Sequence, residues 1–162
     1  MELILEGDVD SLMLKTLIDA YNDLPSGDVL NIYFSSPGGN ITTGEAIINL
    51  INRRANATTL TAFFGLESCA FNIFFKSKCY REILPSVIGM IHLTTWGGSI
   101  KEGLVTEPRT EFIKKEMKRS LAINTNFFRE LGVSEEELLK YKKGEEVYFN
   151  DEQLKRMLKR AY

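Results

Sequence analysis

The sequence predicts a mixed α/β fold built on a largely parallel sheet. Three observations carry that expectation. Short runs rich in Val, Ile, Tyr, Phe and Thr alternate with stretches whose apolar residues recur every three or four positions, the pattern of strand–helix–strand units with right-handed crossovers. Two segments, Ser36-Pro37-Gly38-Gly39 and Gly65-Leu66-Glu67-Ser68-Cys69, carry a strand sharply into a helix. From residue 107 onward the pattern is helical, broken by one short strand.

In order, Glu2–Glu6 is expected as the first strand, stopped by Gly7-Asp8. Asp10 or Ser11 caps a helix to about Asn22 that turns Leu12, Leu14, Leu17, Ile18 and Tyr21 inward. A turn at Pro25-Ser26-Gly27-Asp28 leads to the strand Val29–Phe34 and the helix Ile41–Arg54, with Ala46, Ile47, Leu50 and Ile51 on its inner face. Thr58–Phe64 is the third strand and Ala70–Lys76 a short, buried helix. Cys79–Leu84 and Ile88–His92 are two more strands around Pro85-Ser86, and Thr94–Gly98 is a loop. Glu107–Leu131 is a long helix. Ser134–Tyr141 is a shorter one, with Ser134 and Glu137 at capping-box spacing. Val147–Phe149 is a strand, and Asp151–Tyr162 a final helix capped by Asn150 or Asp151.

The 162 residues suit one domain with a full core. The net charge is −2, and the late basic residues (Lys114, Lys115, Lys118, Arg119, then Lys155, Arg156, Lys159, Arg160) are interleaved with acids. That balance argues against nucleic acid or an anionic membrane as partner. Cys69 and Cys79 form neither a disulfide framework nor a metal-ligand spacing. They are expected to be reduced, in a cytoplasmic compartment, and no metal or cofactor is expected. No apolar run is long enough to span a membrane, and Met1-Glu2 begins no signal peptide.

Active sites of parallel sheets lie beyond the carboxyl ends of the strands, where both sharp turns sit. Pro37 fixes one φ, while Gly38 and Gly39 allow backbone shapes that turn N–H groups toward a developing negative charge. In the second turn, Ser68 or Cys69 is placed as a nucleophile at a helix N-terminus, which lowers a thiol's pKa. The N–H of Ala70 then joins the glycine turn in an oxyanion hole. His92, the only histidine, ends another strand, where a general base is needed. Each residue also has a plain structural reading: Cys69 as a small buried hydrophobe, Ser68 as a helix cap, His92 as a satisfied structural histidine.

Together these segments resemble the proteolytic subunits of Clp-type proteases, within the broader ClpP/crotonase fold. Ser36-Pro37-Gly38-Gly39-Asn40-Ile41-Thr42-Thr43-Gly44 is similar, position by position, to that family's glycine motif. Gly65-Leu66-Glu67-Ser68-Cys69-Ala70 resembles its Gly-x-Ala-Ala-Ser-x nucleophile turn. Arg81-Glu82-Ile83-Leu84-Pro85 followed by Gly89-Met90-Ile91-His92 resembles its Leu-Pro…Met-Ile-His segment. The helix from Glu107 resembles the protruding "handle" through which two rings stack.

The resemblance implies one domain of repeated ββα/βαβ units over 1–162, with 1–104 and 145–162 as head and 105–144 as handle region. It implies an endopeptidase acting on peptides or unfolded proteins by acyl transfer. Cys69 falls on the nucleophile, normally serine, with Ser68 the alternative if the turn shifts by one. His92 falls on the base and Glu146 on the acid that orients it; Glu145 and Asp151 align less well. Gly39 and Ala70 fall on the oxyanion hole. Gly38, Asn40, Ile41, Thr95 and Trp96 fall where a substrate is held as an added strand. A homo-oligomeric ring is implied, or a double ring stacked through the handle. The chain starts at the first strand, without the family's N-terminal helix and axial loops, and stops before its Gly-Leu-Val-Asp end, so an unfoldase ATPase partner is in doubt.

Departures remain. Phe71 and Asn72 replace small residues, and Phe71 is expected to crowd the pocket. Glu67 raises a thiol's pKa if it faces the site. Three alternatives follow: a Cys69 peptidase, a Ser68 peptidase, and an inactive relative serving structure or assembly. Acyl-CoA enzymes of the crotonase branch share the paired-amide hole, but His92 and the handle helix point away from them.

Overall fold

Alternating positions at Leu30, Ile32 and Phe34, and at Thr58, Leu60 and Ala62, bury one face of two adjacent strands. The computed structural model describes residues 1–93 and 107–161. The Thr94–Gly98 loop, with Thr95 and Trp96, and Tyr162 lie outside the described residues. The elements are β1 (Glu2–Glu6), α1 (Ser11–Asp23), β2 (Leu30–Ser36), α2 (Ile41–Arg53), β3 (Thr58–Glu67), α3 (Cys69–Lys76), β4 (Tyr80–Ile83), β5 (Ile88–Ile91), α4 (Glu107–Glu130), α5 (Glu135–Lys142), β6 (Val147–Phe149) and α6 (Asp151–Arg160). A 3-10 turn at Ala55–Ala57 precedes β3. Two compact units result, Met1–Ile91 with Val147–Tyr162, and His92–Glu146.

The first unit holds one sheet in the order β1-β2-β3-β5-β6, with β4 also on β3. The strands run parallel except β6, which is antiparallel to β5. β3 serves two partners along its length: Thr59–Ala62 face β4, and Gly65–Glu67 face β5. It therefore runs through the Gly65-Leu66-Glu67 stretch expected as a turn. The ladder to β2 slips between Phe34 and Ser36, and the Ser35 hydroxyl accepts the Gly65 N–H at 3.1 Å there. The slip throws Phe64 outward, 74% exposed.

Leu17, Ile47, Ile51, Phe71 and Phe74 pack with Leu30, Ile32 and Leu60 in the core of this unit. Helix α1 turns Met13, Leu17 and Tyr21 inward, so the expected inner residues Leu12 (67% exposed) and Ile18 (41%) lie outside. Phe71 is fully buried, with its ring 4.6 Å from Phe75 and 5.8 Å from Phe149. It builds the core of this unit. Buried Arg81 donates to Phe74 O and Phe75 O (3.3 and 2.7 Å) at the end of α3, and to Ala161 O (3.2 Å) after α6. One guanidinium thus serves the carbonyl ends of two helices.

In the second unit α4, 24 residues and about 36 Å long, turns into α5 through Gly132 at φ 86°. Val133 N–H closes on Phe128 O at 3.0 Å. Ser134 and Glu137 form the expected capping box. The Phe128 and Tyr141 rings meet edge to face at 5.2 Å. Among the described residues no helix is long and apolar enough to cross a membrane.

Candidate active site

The glycine turn is braced from β1's side of the sheet. Val9, 1% exposed, donates its N–H to Gly38 O and accepts the Asn40 N–H, each at 2.8 Å. Gly38 N–H is held by Ser36 Oγ at 3.0 Å. Asn40 caps α2: its Oδ1 accepts the Thr43 N–H at 2.9 Å, and its carbonyl accepts the Gly44 N–H. The backbone polar groups of Gly38 and Asn40 are thus taken up inside the chain. Gly38 has φ 102° and Gly39 φ 145°. A methyl on Gly38 falls 2.6 Å from Ser68 Cβ, and one on Gly39 falls 2.6 Å from Val9 O. The turn therefore lies directly against the β3–α3 junction.

That junction is a single residue. Ser68 has φ 56° and ψ −124° at the N-cap of α3, and its side chain makes no cap hydrogen bond. Positive φ in a serine stores about 1–3 kcal/mol of strain, offset by surrounding packing. Its N–H is fixed to Met90 O at 2.8 Å. Such an elbow presents a side chain at the strand end, as the nucleophile of a strand–turn–helix does. Ser68 is half-buried. Cys69 opens α3 and is only 6% exposed.

The Gly39 N–H bonds the Cys69 thiol and favours its ionised form, but burial outweighs it and pushes the thiol from 9.0 up to about 11. The lowered pKa expected at a helix N-terminus is therefore not realised. Glu67 takes no part in that shift; its carboxylate lies over Gly65, 3.5 Å from where a methyl would stand. Ala70 is fully buried in the first turn of α3, where N–H groups lack intrahelical acceptors. Gly44 of α2 faces α3 without needing to be glycine: a methyl there would lie 3.5 Å from Ile73 and 3.8 Å from Cys69 Cβ, ordinary contact.

His92 directly follows β5 and is half-buried, and Glu146 directly precedes β6 and is exposed. Ile91 lies opposite Val147 in that antiparallel pair, so His92 and Glu146 are the next residues outward on the two chains. Asp151 has another task. It pairs with Lys155 at 3.2 Å and accepts from the Ser86 backbone at the start of α6, which together hold its carboxyl below the usual value. Ile41 is 45% exposed. Val9 and Ser35 were not legible in the sequence: Val9 carries no motif, and Ser35 acts across a slip in register on Gly65, whereas Ser36, part of the glycine motif, acts locally on Gly38.

No family model matches the chain. ClpP1 from Listeria monocytogenes, solved as a point mutant, superposes on 96% of this chain and 86% of its own length, with a TM-score of 0.67 and 19% sequence identity. At that identity the likeness establishes the fold, a ClpP-like α/β fold.

Proposed function

We propose that the chain is a ClpP-like endopeptidase that cleaves peptides or unfolded proteins through Cys69. One observation supports this best: the glycine turn lies against the α3 N-terminus, with the Gly39 N–H on the Cys69 thiol. Two N–H groups, of Gly39 and Ala70, then face the carbonyl oxygen of a bound peptide. Cys69 Sγ attacks the carbonyl carbon while His92 takes the thiol proton. The tetrahedral adduct collapses to a thioester, and His92 returns that proton to the departing amine. Water, deprotonated by His92, then hydrolyses the thioester. A thiol at about 11 is protonated at neutral pH, so base assistance belongs to the attacking step itself. Glu146 orients His92. Substrate lies as an added strand along Gly39 and Ile41.

A second reading, attack by Ser68, is favoured by its φ, ψ and greater exposure. A third, an inactive assembly protein, keeps the fold without the chemistry. In all three the chain assembles as a homo-oligomeric ring, or a double ring through α4, where Ile123 is 51% exposed. Casein cleavage by wild type, Cys69→Ala and Ser68→Ala decides among them. Loss only in Cys69→Ala supports the thiol peptidase, and loss only in Ser68→Ala the serine one. No cleavage by any form, with the oligomer intact, supports the assembly protein.

A further inference from the structure

The second unit contains a cavity of about 860 Å³. It starts at Leu93, one residue after His92, and Met117 and Leu121 of α4 add apolar surface. Tyr141 forms a fixed wall: it is 1% exposed, its ring is set against Phe128, and its hydroxyl is bonded to Asn124. Among the described residues the charged lining is lopsided: Lys114, Lys115 and Lys118 stand on it against one carboxylate, Glu111, which lies 3.5 Å from Lys114. Apolar surface edged by excess positive charge suits a ligand with an apolar side chain and neighbouring negative charge.

We propose that this cavity selects substrate, taking peptide segments in which a large apolar residue is flanked by carboxylates. The inference rests on the peptidase reading for its link to cleavage, and on the cavity alone for binding. Apolar side chains seat against Leu93, Met117 and Leu121, while the flanking acids meet Lys115 and Lys118. Neutral unfolded chains enter with the apolar contact alone, and lysine-rich ones are repelled.

The test uses fluorescein-labelled decapeptides of Leu-Glu-Glu, Leu-Gln-Gln and Leu-Lys-Lys repeats. Binding is read by polarisation on the full-length Cys69→Ala protein at low salt, and cleavage on wild type. The glutamate peptide is expected to bind about three- to tenfold tighter than the glutamine peptide, less so as salt rises. Lys115→Gln with Lys118→Gln should remove the preference, and Lys115→Glu with Lys118→Glu should reverse it. Leu121→Asp should weaken all three peptides. Equal affinities, or a preference indifferent to both lysine pairs, would overturn the proposal. Acid-selective binding without wild-type cleavage would uphold the cavity and overturn the peptidase reading.

Discussion

At Gly39 a methyl group has no room. It would lie 2.6 Å from Val9 O and 2.8 Å from Val9 N, on a residue at φ 145°. Gly39→Ala is expected to cost about 1–3 kcal/mol from backbone strain alone, visible as a lowered urea midpoint, and to abolish the proposed peptidase activity. Gly44→Ala is the matched control: its methyl meets Ile73 and Cys69 at ordinary distances inside a helix, so stability should hold or rise by up to about 1 kcal/mol. The two buried thiols set a pH limit. Burial raises both Cys69 and Cys79 from 9.0 to about 11, so between those values the folded chain holds more protons than the unfolded one. Their contribution is fully present below pH 9.0 and is lost as pH rises through about 11. Urea midpoints should fall across that window, and fall less in Cys79→Ala.

Among the elements, α3 depends on groups outside it for both ends. Its start is set by the Ser68 elbow, held to Met90 O, and its end by Arg81. Arg81→Met keeps the bulk but removes the donors to Phe74, Phe75 and Ala161. It should cost at least about 2 kcal/mol in denaturant melts, since buried carbonyls then lack partners. Asn150→Ala removes one side of the α6 capping box and should cost about 1 kcal/mol. The Ser134–Glu137 capping box was legible because a cap and its partner are three residues apart; at α6 the sequence offered Asn150 or Asp151 as cap, and the structure selects Asn150, boxed with Gln153. The inner face of α1 was less legible. Apolar residues cover more than one helical stripe there, and the sheet selects Met13, Leu17 and Tyr21 over Leu12 and Ile18.

At the scale of the whole molecule, the proposed assembly predicts a mass. A double ring joined through α4 should separate into single rings in Ile123→Glu, seen as a halved mass by sedimentation velocity. The 51% exposure of that side chain means the monomer's fold need not change. A wild type that sediments as a monomer at micromolar concentration would overturn the assembly proposal.

The order of strands and helices, their ends to within about three residues, and the two turns that meet were determined by the sequence alone. Periodicity, glycine pairs and caps are local signals, read over a few residues. Tertiary structure decided the rest. The extension of β3 to Glu67 depends on β5 as a second partner, and pairing between distant strands leaves no local trace. The bracing of Gly38 and Asn40 by Val9 joins segments about 30 residues apart. The contrast at the elbow, a strained and accessible Ser68 beside a buried Cys69, arises because α3 must enter the core while β3 stays bonded to Met90. Burial of a side chain is a property of everything packed around it, and no motif of six residues encodes that.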